Sequence, residues 1–125
     1  MKTQIVQTCA ALALLTTSAT AQDNPMENHT ASYIAMPAAE GQTGAFAEFL
    51  AGAAPIVGET EPGTVLWFAL QANDTLAIFD IFEDGEARDA HFSGAVAAAL
   101  NQNAATLVDG GWDDGVVANI NNSDV

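Results

Sequence analysis

Basic residues are almost absent from this sequence. Its 125 residues contain 2 Lys and Arg against 16 Asp and Glu, which gives a formal net charge of −14. Two cations cannot neutralise a run of phosphates, so nucleic acid is excluded as a partner, and an anionic membrane surface is excluded for the same electrostatic reason. Because half of the residues are hydrophobic, the composition is that of one globular domain rather than of a disordered chain.

Cysteine occurs once, as Cys9, in a segment typical of a secretory signal. Lys2 supplies a short positive start, Ile5–Leu15 is mostly apolar, and Ala19–Ala21 has the small-x-small pattern of a cleavage site. The apolar run is shorter than the ~20 residues that span a bilayer. We expect cleavage near Ala21 and export to the periplasm or beyond, with no membrane attachment of the mature form. The alternative is that this segment is a helix of the folded domain.

Loss of Cys9 would leave the mature protein without thiols, which excludes disulfides and Cys-ligated metals. The acidic, glycine-rich turn Asp109–Gly115 does not have the spacing of an EF-hand, and no two histidines lie at ligand spacing. The sequence therefore predicts neither a metal nor a cofactor. Residues 22–31 are predicted to form a flexible arm with a solvated His29, residues 32–121 the domain, and residues 122–125 a tail.

Turn residues and hydrophobic periodicity predict the element order β-α-β-β-α-β. The predicted strands are Ser32–Ala38, Val65–Leu70, Leu76–Glu83 and Val116–Ile120. The first predicted helix runs from Thr43 as its N-cap to Gly58 as its C-cap. The second runs from Gly85 to Leu107 with a bend at Ser93-Gly94. This order is that of the ferredoxin-like unit, an α+β fold in which an antiparallel sheet carries two helices on one face.

The two middle strands are apolar on both faces. In the first of them Leu66, Phe68 and Leu70 alternate with residues that include Trp67. An antiparallel sheet with one solvated face should instead alternate apolar with polar side chains. Since two helices cover one face only, a second copy of the sheet is the simplest cover for the other. The pattern predicts a homodimer.

Three motifs in order carry a resemblance to a known family. They are the turn Glu61–Thr64 (Glu-Pro-Gly-Thr), the strand end Ile78–Asp84 and the helix start Glu86–Phe92. Over residues 33–120 the chain resembles the antibiotic biosynthesis monooxygenase family, close to its quinol monooxygenase branch. The resemblance implies a dimeric α+β barrel. It also implies a small enzyme that oxygenates a phenolic or quinol-type aromatic compound with O₂, without metal or flavin.

The chain departs from that family's pattern at three places. Phe82 stands where relatives often carry Trp, Asp80 stands where Glu is common, and Ser93–Val96 lacks the second histidine of the helix motif. The haem-degrading branch uses a ring of Asn, Trp and His, so haem binding or breakdown is a low-ranking alternative. A non-catalytic barrel that binds a small molecule is the other alternative.

His91 is the one candidate base expected to be ordered. An imidazole over an apolar cavity can deprotonate a phenol, whereas the alternative is a structural histidine at a helix edge. Asp80 lies in the middle of a strand and would need a partner if buried. We expect it to orient His91 or to bind substrate, the alternative being an edge carboxylate that reaches water.

Large aromatic residues supply the predicted walls of a substrate pocket. Trp67, Phe82 and Phe92 are candidates to stack on a planar aromatic ligand. For Trp67 and Phe82, packing in the core or at a dimer contact is the favoured alternative, because large aromatics in strands are usually buried in this way.

Overall fold

The computed structural model describes residues 28–125. The predicted signal segment and most of the predicted arm lie outside these residues. The strands are β1 Thr30–Pro37, β2 Thr64–Ala72, β3 Thr75–Phe82 and β4 Ile120–Asp124; the helices are α1 Thr43–Thr60, α2 Gly85–Phe92, α3 Ala95–Leu107 and the short α4 Gly111–Gly115, followed by a 3₁₀ turn at Val117–Asn119. None of the helices in this part of the chain is long and apolar enough to cross a membrane.

The four strands form one antiparallel sheet in the order β2-β3-β1-β4. This is the predicted ferredoxin-like α+β fold. The β2–β3 hairpin closes through Asn73 and Asp74, with Ala72 paired to Thr75, and Asn73 adopts a left-handed φ of 54°. Asparagine tolerates that conformation well, which suits it to a two-residue hairpin turn.

One face of the sheet is covered by α1 and α3. Phe46 and Leu50 of α1 and Leu100 of α3 are buried against β1 and β3 residues such as Met36 and Ile78. The spacing of the α1 residues follows the helical period that the sequence predicts, so one apolar stripe is buried and the opposite side faces water. This interface is the main hydrophobic core.

The opposite face of the sheet, which we call the outer face, consists of Tyr33, Leu66, Phe68, Leu70 and Phe79. The strand register confirms that these side chains share one face, because Phe79 lies opposite both Tyr33 and Phe68. Phe68 is 48% exposed and Leu70 is 53% exposed. Residues 28–125 of one chain therefore leave an apolar sheet surface in contact with solvent, as the two-faced strand pattern predicts.

The helices differ from the prediction at their ends. Gly58 lies inside α1 rather than at its C-cap, and Gln42 is the N-cap residue in place of Thr43. The Thr43 hydroxyl donates instead to Asp74 Oδ1 at 2.9 Å. The predicted bend at Ser93-Gly94 is a complete break that separates α2 from α3.

The last strand is present, but its predicted bounds are wrong. Val116 belongs to a helical segment that starts at Gly110, whose φ of 85° turns the chain, and β4 begins only at Ile120. Most of the predicted tail is therefore strand, paired with β1. The run from Asn121 to Asp124 has no strand-like side chains, and the backbone ladder at the sheet edge holds it in place. The domain also starts earlier than predicted, because β1 begins at Thr30.

Candidate functional site

The turn between α1 and β2 fixes the position of Glu61. Its backbone N–H donates to Val57 O at 3.0 Å and ends α1, and its carbonyl accepts from the Thr64 N–H at 3.0 Å. Gly63 allows α2 to approach this turn, because a Cβ at Gly63 would lie 2.6 Å from Ala87 Cβ. The Glu-Pro-Gly motif therefore brings the Glu61 side chain against α2.

Helix α2 places His91 on its inward side. The helix begins at Asp84, whose carboxylate accepts from the Ala87 N–H at 2.9 Å and caps the first turn. His91 lies two turns later and is 5% exposed. Its ring centroid is 5.3 Å from that of Phe82 and 5.6 Å from that of Phe92. Aromatic neighbours thus hold the imidazole in one orientation.

His91 and Glu61 form a buried hydrogen bond. The imidazole Nδ1 contacts Glu61 Oε2, and the Thr64 hydroxyl donates to the same oxygen at 3.2 Å. The other oxygen, Glu61 Oε1, is buried and has no protein partner. It lies in the space that the absent side chain of Gly94 leaves open, where a Cβ would be 2.8 Å away.

Asp80 lies on the sheet side of the His91 ring, opposite Glu61. It is fully buried in β3, and its Oδ2 lies 3.5 Å from His91 Nε2. That distance exceeds the 3.2 Å limit of a good hydrogen bond, and neither carboxyl oxygen has a protein partner. Burial and, to a smaller extent, repulsion from Glu61 together raise the pKa of Asp80 to about 8. At neutral pH the Asp80 carboxyl is therefore mainly protonated.

Two spaces adjoin His91. One is a surface cleft of about 320 Å³ whose lining includes Glu61, Ala87, Ala90 and Gly94. The other is an interior cavity of about 30 Å³ between the sheet and α3, whose walls include aromatic and aliphatic side chains. The cleft has the volume of a small-molecule pocket, whereas the interior cavity has room for a water-sized molecule.

The structure brings two of the predicted site residues, His91 and Asp80, into one cluster. Phe82 is fully buried behind His91, and Trp67 and Phe92 line the interior cavity. None of these three aromatic side chains lines the cleft. The Trp67 Nε1 is buried without a protein partner, on the strand position opposite Asp80.

Glu61 is the site residue that sequence reasoning did not assign. It belongs to the turn motif that carries the family resemblance, and that motif was its only signal in the sequence. Within residues 28–125 no group of three His, Cys, Asp or Glu side chains is arranged to hold a metal ion. The cluster Glu61–His91–Asp80 is instead a buried imidazole between two carboxyl groups, an arrangement that can accept and hold a proton.

Solved structures resemble this fold closely. A protein of unknown function from Nitrosomonas europaea is 38% identical, with a TM-score of 0.71 over 80% of this chain and 91% of that chain. The chain belongs to the family of that protein. Two proteins provisionally named antibiotic biosynthesis monooxygenases, from Chloroflexus aurantiacus and Caulobacter crescentus, both give TM-scores of 0.60. They are 16% and 12% identical, over 78% and 80% of this chain and 92% of each of theirs.

These likenesses confirm the predicted resemblance at the level of the fold. No protein-family model and no curated protein matches the chain. The functional argument for this protein therefore depends on the Glu61–His91–Asp80 cluster.

Proposed function

We propose that the protein oxidises a phenolic or quinol-type aromatic compound with O₂, without a metal or flavin. The proposal depends chiefly on one observation, the burial of His91 between Glu61 and Asp80, at 5% exposure. An imidazole that is held by a carboxylate and shielded from water is suited to general-base catalysis. The fold shared with proteins named as monooxygenases supports the same reaction class.

The reaction starts with transfer of the phenolic proton to His91. The O–H electron pair stays on the substrate, which becomes an electron-rich phenolate that can reduce O₂. One oxygen atom then enters the ring as a carbonyl and the other leaves as water. A phenol and O₂ give a quinone and water, and a quinol and O₂ give a hydroxyquinone and water. The substrate supplies all four electrons.

A phenolic ring needs more space than the interior cavity of about 30 Å³. The proposal therefore requires one aromatic wall of that cavity, Phe92 or Trp67, to move when substrate binds. Phe92 is the better candidate, because it lies at the end of α2 beside the helix break. Trp67 is held in the middle of β2.

We further propose that the protein is a homodimer, closed through the outer face. Tyr33, Phe68 and Leu70 are each more than two-fifths exposed on one side of the sheet. Contiguous exposed apolar surface of this kind marks an association site. A second copy of the same face supplies an apolar surface that can cover it. Export after cleavage near Ala21 is likewise proposed, from the N-terminal sequence alone.

A second candidate function is binding of a small apolar ligand without catalysis. Two observations favour it. Side chains leave only about 30 Å³ free in the interior cavity beside His91, whereas the surface cleft beside His91 offers about 320 Å³. In this case the ligand lies against Ala87 and Ala90, and the Glu61–His91 pair has a structural role.

Oxygen uptake with a panel of phenols and hydroquinones tests the proposal. We expect turnover with incorporation of one ¹⁸O atom from ¹⁸O₂ into the product, and loss of about 100-fold or more in His91→Gln, since a positioned base contributes about 10²–10⁴-fold. The matched control is His29→Gln, which removes the other histidine and should retain activity. Equal turnover in both variants would overturn the assignment of His91.

The two candidate functions are separated by filling the cleft. Ala90→Leu should abolish a thermal shift by phenols if the protein is only a binder, because Ala90 lines the cleft. It should leave oxidation intact if the reaction takes place in the interior. Phe92→Ala enlarges the interior cavity and should change the range of phenols that are oxidised.

A further inference from the structure

We propose that Glu61 is a positioning residue that holds His91 with its proton on Nδ1, so that Nε2 is the nitrogen that accepts the substrate's proton. This inference rests on the proposed function. It assigns a role to a residue of the Glu-Pro-Gly turn and it defines the side of the imidazole on which the reacting hydroxyl must lie.

The contacts of Glu61 Oε2 support the position of the proton. This oxygen accepts from the Thr64 hydroxyl at 3.2 Å and contacts His91 Nδ1. A carboxylate oxygen has lone pairs for two donors. Oε2 can therefore accept from Nδ1–H as well as from the Thr64 hydroxyl, and our proposal places the ring proton on Nδ1. The backbone hydrogen bonds of Glu61 to Val57 and Thr64 keep its side chain at this place.

The surroundings of Nε2 support its role as the free nitrogen. Its nearest charged or titratable neighbour is Asp80, whose Oδ2 is 3.5 Å away, too far for a good hydrogen bond. Within residues 28–125, the ion pairs and close charged contacts of the cluster involve only Glu61, His91 and Asp80. Because the buried Asp80 carboxyl is mainly protonated at neutral pH, it does not pair with an imidazolium before substrate binds.

The proton transfer follows from this geometry. The substrate O–H bond breaks, its electron pair stays on the phenolate oxygen, and a new N–H bond forms at Nε2. His91 becomes an imidazolium, whose positive charge is stabilised by the Glu61 carboxylate on Nδ1. Since Nε2 faces Asp80, the reacting hydroxyl has to lie on the sheet side of the ring, next to the interior cavity that His91 lines.

The tautomer can be measured without any substrate. In protein labelled with [¹⁵N]histidine, the ¹⁵N–¹H long-range correlation pattern of neutral His91 should show the proton on Nδ1. Comparison with His91→Gln assigns the signals. Glu59→Gln is the matched control: it neutralises an exposed glutamate two positions before Glu61, leaves the Glu61–His91 contact, and should keep the Nδ1–H form. A proton on Nε2 in the unmodified protein would overturn the inference.

Glu61→Gln tests the functional consequence. Its amide can donate to Nδ1 and thereby shift the proton to Nε2, so we expect the opposite tautomer and a fall in kcat of about 100-fold with little change in KM. Unchanged kcat in a Glu61→Gln protein that shows the opposite tautomer would refute the positioning role. Failure to oxidise any phenol, with the Nδ1–H form present, would instead refute the proposed function alone.

Discussion

The buried carboxyl of Asp80 predicts an unusual pH dependence of stability. In the folded protein the pKa of Asp80 is raised from 3.8 to about 8, chiefly by burial and secondarily by Glu61. The unfolded chain loses this proton above its ordinary pKa, while the folded chain keeps it. The folded state therefore binds more protons between these two values, and the contribution of Asp80 to stability falls as the pH rises through this range.

The expected size follows from the linkage relation. A group that is protonated in one state and ionised in the other changes the free energy of unfolding by about 1.4 kcal/mol for each pH unit. Asp80→Asn removes this titration. The free energy of unfolding of the variant, relative to that of the unmodified protein, should therefore increase by about 2.7 kcal/mol between pH 5 and pH 7.

Urea unfolding of both proteins at pH 5, 6 and 7 measures this gain, provided that the m value is unchanged. Asp89→Asn is the matched control, because Asp89 is exposed on α2. The difference in free energy of unfolding between this variant and the unmodified protein should not vary with pH in this way. If the difference in free energy of unfolding between Asp80→Asn and the unmodified protein is the same at all three pH values, the fold does not keep Asp80 protonated. The conclusion that a neutral carboxyl lies beside His91 Nε2 would then be refuted.

Two further predictions concern the turn and the outer face. Gly63→Ala should destabilise the protein by about 1–3 kcal/mol in urea unfolding, because the new methyl group would lie 2.6 Å from Ala87 Cβ; no loss of stability would contradict this contact. Phe68→Glu should convert a dimer into a folded monomer in sedimentation velocity at micromolar concentration, whereas Gln102→Glu, on an exposed side of α3, should not. A monomeric unmodified protein would refute the homodimer.

Hydrophobic patterning predicts the fold well because burial of the sheet and helices depends on it. The alternation in β2 and β3 assigns Leu66 and Phe68 to one face, and the strand register places them there. The last strand is predicted four residues too early, because β4 is an edge strand of mainly Asn, Ser and Asp whose backbone hydrogen bonds to β1 supply its stability. Side-chain preference carries no information about such a strand, and the apolar Val116–Val117 pair before it is a misleading signal.

The site is predicted in part. His91 and Asp80 are found from their residue types and from their places on a helix and on a buried strand. Glu61 is missed because it lies 30 positions before His91, in a turn where an acidic residue is ordinarily solvated. Only the close approach of α2 to the turn makes this carboxylate a buried partner. That approach depends on the lack of a side chain at Gly63 and Gly94.

The Glu-Pro-Gly turn therefore links the stability of the fold to the geometry of the site. Gly63 sets the distance between the turn and α2, and Glu61 uses that distance to reach His91. Gly94 leaves the space that Glu61 Oε1 occupies. A methyl group at Gly94 would push this oxygen but would leave the contact between Gly63 and Ala87. Gly94→Ala should thus disturb the Glu61–His91 hydrogen bond at a smaller cost in stability than Gly63→Ala. This difference separates the role of the turn in packing from its role in holding the imidazole.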